Sequence, residues 1–169
     1  MKRNFVVAFL ILLLIAGCKK PDAYDTRGNP VRIADYQGKW VIINYWAPWC
    51  KPCLKEMPEL NNLYLTYKSR LMVFGVSFDQ LSNEKINTFA NKLGITFPVL
   101  QNFPIEKFGI QTIQTLPVTF IISPQGKLVK TLNGPQTQVD LEAAIGFDHS
   151  KGNRIEERAL SKNLQNKKP

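Results

Sequence analysis

A chain of 169 residues is long enough for one domain with a sizeable core and too short for two of ordinary size. At 44% hydrophobic and 21% charged residues its composition is globular, which excludes a disordered or fibrous chain. The net charge of +9 raises nucleic acid as a partner, but the basic residues are unclustered through the domain and gather in the C-terminal tail, the pattern of a solvated surface resting near anionic lipid rather than of a nucleic-acid groove.

Lys2 and Arg3 form a positive start, and Phe5 to Ala16 a short apolar run that is too short for a membrane span. The following Ile15-Ala16-Gly17-Cys18 resembles a bacterial lipobox, in which the leader is cut before the cysteine and its sulfur receives a lipid. The resemblance implies a signal peptide over 1–17, lipidation of Cys18, and a mature protein outside the cytoplasm, held by acyl chains and facing the periplasm in a Gram-negative cell. Loss of Lys2 and Arg3 lowers the net charge from +9 to +7. Lipidation of Cys18 leaves Cys50 and Cys53 as the free cysteines of a chain that has three.

Lys19 to Thr26 is polar and irregular, and residues 18–23 are expected to be a tether. Gly28-Asn29-Pro30 marks a turn, Val31 to Ile33 alternates like a short edge strand, and Gln37-Gly38-Lys39 turns again. Trp40 to Trp46 is aromatic and β-branched with little alternation, which predicts a central strand buried on both faces, with Asn44 as its polar exception. Ala47-Pro48-Trp49 ends it. From Lys51, apolar positions 54, 57, 60, 63 and 64 predict an amphipathic helix to about Tyr67, with Pro58 expected to kink it.

A second buried strand is expected at Leu71–Phe78, then a helix capped by Ser82 or Asn83 and ended by Gly94. Phe97–Leu100 reads as a short strand and Ile105–Phe108 as a helical piece. Val118–Ile122, the turn Ser123–Gly126 and Lys127–Leu132 form a hairpin. A last helix from about Gln136 to Ile145 offers Val139, Leu141, Ala144 and Ile145 for packing. Residues 148–169 form a basic tail expected to be weakly ordered, and the single histidine, His149, lies in it, far in sequence from the cysteines.

Chemistry concentrates at Trp49-Cys50-Lys51-Pro52-Cys53, where strand gives way to helix. A helix N-terminus favours an anion there, and cysteines so placed have pKa values lowered to about 3.5–7.5 from about 8.5. Cys50 is therefore the candidate nucleophile, with Lys51 a nearby positive charge and Pro52 suited to the first turn. Cys53, one turn deeper, is the candidate resolving thiol. Metal binding needs further ligands for a closed zinc site, and none is in the domain, although two-coordinate Cu(I) stays open as a metallochaperone reading.

The order β-α-β-α-β, hairpin, helix, with Cys-x-x-Cys after the first long strand, resembles the thioredoxin fold. Gly38-Lys39-Trp40, Glu56-Met57-Pro58 and Leu116-Pro117 narrow the resemblance to TlpA/ResA-like thiol-disulfide oxidoreductases across residues 24–147. It implies an α/β architecture, a central mixed sheet flanked by helices, with a short N-terminal strand or hairpin extension. It further implies that the acid at Glu56 tunes the cysteines, that Pro117 follows a cis bond, and that Trp49, Leu116 and Pro117 border the substrate. Asn44 stands where thioredoxin has a buried aspartate, which shifts any acid–base role to Glu56. The expected activity is reduction of protein disulfides with no cofactor beyond the redox-active pair, recharged by a membrane or soluble thiol-disulfide partner. Thiol oxidase, isomerase and cytochrome c maturation reductase are the alternatives within the class.

Overall fold

The Trp40–Trp46 segment forms β3, the middle strand of a five-stranded sheet of order β5-β4-β3-β6-β7. The computed structural model describes residues 20–147; the leader, Cys18, His149 and the basic tail lie outside the described residues. Strand β4 (Leu71–Ser77) runs parallel to β3, and β5 (Val99–Leu100) parallel to β4. Strand β6 (Val118–Ile122) is antiparallel to β3, and β7 (Leu128–Asn133) returns antiparallel to β6. Helix α1 (Lys51–Tyr67) joins β3 to β4, α2 (Asn83–Lys92) joins β4 to β5, and α3 (Gln138–Ala144) follows β7. This is the thioredoxin-like mixed sheet that the motif order predicts.

Side-chain alternation along β3 divides the core. Ile42 and Trp46 face a cluster formed with Cys53, Met57, Leu60 and Leu63 of α1, Ile86 and Ala90 of α2, and Leu141 beside them on α3. Val41, Ile43 and Tyr45 face the other way, where Ala23, Val31, Phe103 and Ile105 cover the sheet without an α-helix. Asn44 shares the parity of Ile42 and Trp46, so its polar group points into the helix-covered side.

The N-terminal segment departs from the irregular tether. Ala23–Tyr24 (β1) pairs antiparallel with Pro30–Val31 (β2), Ala23 is buried, and Asp22 accepts the Ile33 N–H and pairs with Lys107. The fold therefore takes hold by Asp22, inside the 18–23 stretch. Asp25 supplies the local reason: its carboxylate accepts the N–H groups of Arg27 and Asn29 and the Asn29 side-chain amide, closing the turn. After Val31 the chain enters a 3-10 turn at Ile33–Tyr36 rather than continuing as strand. Val139 is likewise exposed rather than packed, because α3 is short and buries Leu141 instead. Helix α1 continues through Pro58, which is exposed. Among the described residues no helix is long and apolar enough to cross a membrane.

Gly75 lies opposite Asn44 in the β3–β4 register. A Cβ there would meet Phe97 at 3.0 Å and the Trp46 indole nitrogen at 3.1 Å. Gly75→Ala is accordingly expected to destabilise the domain by about 1–3 kcal/mol, read from the urea midpoint, because two buried rings must give way.

Candidate active site

Strand β3 ends at Trp46, and the chain turns through Ala47 and Pro48 so that Cys50 becomes the N-cap of α1. Its sulfur accepts the Cys53 backbone N–H at 3.3 Å, one of the donors a helix start leaves unsatisfied. Cys50 and Cys53 are joined as a disulfide with an S–S distance of 2.07 Å. Cys53 is fully buried and Cys50 nearly so. Lys51 and Pro52 form the exposed first turn beside them.

A cleft of about 350 Å³ opens at the disulfide, bounded by Trp49, Cys50, Lys51 and Pro52 on one side and Phe78, Ile113, Thr115 and Leu116 on the other. The Leu116–Pro117 peptide is cis. Leu116 faces the cleft, whereas Pro117 is buried and its carbonyl accepts the Gly134 N–H. Trp49 is 63% exposed, and its indole N–H donates to the Asp79 carboxylate at 2.9 Å. That bond holds the ring at the rim, a role for Asp79 that no local pattern signals across 30 residues of sequence. Trp46, by contrast, is core packing.

Glu56 is 1% exposed, so it is not a solvated helix glutamate. One carboxylate oxygen accepts the Asn44 side-chain N–H at 2.7 Å, and the other accepts the Gln136 backbone N–H at 3.1 Å, just before α3. Burial pushes its carboxyl up to about 7, against the lowering pull of those two bonds. A group poised there gives or takes a proton at neutral pH. Asn44 also donates to the Thr119 hydroxyl at 3.0 Å. Asn44 stands out in the sequence only as the polar exception of β3; this chain from β6 through β3 to α1 leaves no local signal, because its members lie up to 75 residues apart.

Among the described residues no group of three or more His, Cys, Asp or Glu side chains is placed to hold a metal ion.

A family model described as the AhpC/TSA family matches residues 17–131. The thiol-disulfide oxidoreductase ResA of Geobacillus kaustophilus (strain HTA426) is 36% identical over 121 residues, covering 70% of this chain and 68% of that protein. Among solved structures, StoA from Bacillus subtilis is 25% identical with a TM-score of 0.59, covering 72% of this chain and 92% of that one. The pneumococcal exposed lipoprotein thioredoxin Etrx1 from Streptococcus pneumoniae strain TIGR4 is also 25% identical, with a TM-score of 0.61 over 72% of this chain and 94% of that one.

Proposed function

The chain belongs to the AhpC/TSA family as a thiol-disulfide oxidoreductase of the ResA type, and from that premise we propose that it reduces protein disulfides outside the cytoplasm, tethered by a lipid on Cys18. The single observation that carries the redox reading is the Cys50–Cys53 disulfide at the N-terminus of α1, opening onto a cleft. The leader and its Ile15-Ala16-Gly17-Cys18 box support the tether, as does likeness to a protein named an exposed lipoprotein.

In the reduced enzyme the Cys50 thiolate, favoured by the helix start and by the Cys53 N–H, attacks one sulfur of a substrate disulfide. A mixed disulfide forms and the other substrate sulfur leaves as a thiolate. Cys53 then loses its proton to the Glu56 carboxylate and attacks the Cys50 sulfur. The Cys50–Cys53 bond closes, and the second substrate sulfur departs and is protonated. Two electrons have passed from the dithiol to the substrate. A membrane or soluble thiol-disulfide partner restores the dithiol by the reverse exchange. Trp49, Phe78 and Leu116 line the cleft and give apolar contact to the segment carrying the substrate cysteine. Among the described residues the Thr115 and Leu116 peptide groups make no backbone–backbone hydrogen bond, which leaves them available to an extended chain.

Cys53→Ala provides the test. The variant is expected to accumulate a covalent adduct between Cys50 and a disulfide-bearing protein, visible by mass spectrometry and released by dithiothreitol. Failure to trap any adduct while Cys50 still reacts with a small thiol reagent contradicts the proposed protein substrate.

A further inference from the structure

The turn between β7 and α3 joins the wall of the cleft to Glu56. Gly134, at φ 81°, takes the chain out of β7, and its N–H donates to the Pro117 carbonyl at 2.9 Å. The Asn133 side-chain oxygen accepts the Thr115 hydroxyl at 3.5 Å. Thr115 and Leu116 line the cleft, so the turn is fastened to the loop that carries them. The Gln136 side chain then folds back over its own turn, its Nε2 donating to the Gly134 carbonyl at 2.9 Å and to the Asn133 carbonyl at 3.4 Å. Beyond it, the Gln138 N–H donates to Glu59 at 2.9 Å, and Thr137 closes a capping box with Asp140. None of these contacts involves Glu56. Together they set where the Gln136 peptide lies, and its N–H donates to Glu56 Oε2 at 3.1 Å.

A donor fixed in this way has a definite effect on a buried carboxyl. A backbone N–H cannot become an acceptor, so it favours the ionised form and opposes the upward push of burial. Asn44 Nδ2 is the other donor to the carboxylate, on Oε1. We infer that Asn133–Gln136 is a strap fixing the Glu56 carboxylate relative to the Thr115–Pro117 loop, and that Gln136 is its positioning residue: the side-chain amide folds the strap, and the backbone N–H keeps Glu56 able to ionise. This role rests on Glu56 being the proton acceptor for Cys53, as proposed above.

No charged neighbour among the described residues accounts for the displacement of Glu56, whose causes are burial and its two hydrogen bonds. On α1, Glu59 accepts the Gln138 backbone N–H. On α3, Asp140 is held in the capping box and Glu142 accepts from the Gln138 side chain. Strand β3 presents Asn44 and β6 presents Thr119, both neutral, and the Cys50–Cys53 bond carries no charge in the oxidised protein.

The test begins with NMR on the oxidised full-length protein between about pH 5 and 9. The Gln136 amide proton is expected to shift with the same midpoint as the Glu56 carboxyl carbon. In Gln136→Pro, which removes both the N–H and the side-chain clamp, that midpoint is expected to rise, with an acid constant about tenfold smaller. Gln136→Ala keeps the N–H and loosens the strap, so a smaller rise is expected; it carries the test should the proline variant fail to fold. Resolution of a preformed mixed disulfide between Cys50 and a cysteine peptide is then timed by rapid mixing. In Gln136→Pro it is expected to slow about fivefold at pH 7, as the ionised fraction of Glu56 falls, and to approach the wild-type rate at pH 9. A Gln136 amide that does not follow Glu56, or a midpoint unmoved in both variants, overturns the strap while sparing the Glu56 role. A raised midpoint with an unchanged pH profile of resolution removes Glu56 as the proton acceptor, and the role of Gln136 with it.

Discussion

Cys50→Ser lowers disulfide-reductase turnover by at least about 10³-fold, on the scale seen when an enzyme nucleophile is removed, and leaves the fold unchanged. The expectation follows from where the sulfur sits. As N-cap of α1 it receives the Cys53 N–H, and it borders the cleft, whereas Cys53 is fully buried. Serine also caps a helix well, so the start of α1 is preserved while the hydroxyl is far too weak an attacking group at neutral pH. Insulin reduction with dithiothreitol as electron source is the assay, and far-ultraviolet circular dichroism is the control. Turnover within tenfold of wild type would remove Cys50 from the mechanism.

The second large effect is on stability. Oxidised protein is expected to lose about 3 kcal/mol of unfolding free energy as pH rises from about 4.5 to about 7, because one buried carboxyl resists ionisation by about 1.4 kcal/mol per pH unit. The sign follows from proton binding. Folded Glu56 keeps its proton to about pH 7, whereas the unfolded chain releases it near 4.5, so across that interval the folded state binds more protons. Stability is therefore full below the lower value, declines through the interval and levels off above it. Glu56→Gln removes the titration but keeps an acceptor for the Gln136 N–H, so its urea midpoint is expected to vary much less across the interval and to exceed that of wild type at pH 8. Keeping the disulfide closed removes the cysteines from the comparison. Parallel pH profiles for the two proteins would show that Glu56 is not the group responsible.

What the sequence revealed, and what it hid, divides by range. Strand β3, helix α1 and the β6–β7 hairpin were legible because each is long enough to display its own period or turn residues. The placement of Cys50 and Cys53 at the β3–α1 junction follows from those two elements alone. Strands β1 and β2 are two residues each, too short for any alternation, so the fold's start at Asp22 was hidden in what read as a tether. Ile33 continued an apparent alternation into a 3-10 turn for the same reason. Glu56 was legible as a residue on the helix, but its burial depends on Asn44 and Gln136, and Trp49 depends on Asp79. These contacts pair polar residues across the tertiary structure, and local hydrophobic pattern carries no information about them.

The proposed direction of electron flow has its own physical basis. Glu56, ionised above about pH 7 and one helical turn from Cys53, opposes a second negative charge beside it. The reduced form is then not held as a stabilised dithiolate, and the couple gives up its electrons readily. The measurement that tests the central claim most directly is the reduction potential of the Cys50–Cys53 couple, set against glutathione or dithiothreitol buffers at pH 7. The account predicts a two-electron couple lying nearer the roughly −270 mV of thioredoxin than the roughly −120 mV of a strong oxidant. A value at the oxidising end would contradict the reductase reading and assign this site to disulfide formation.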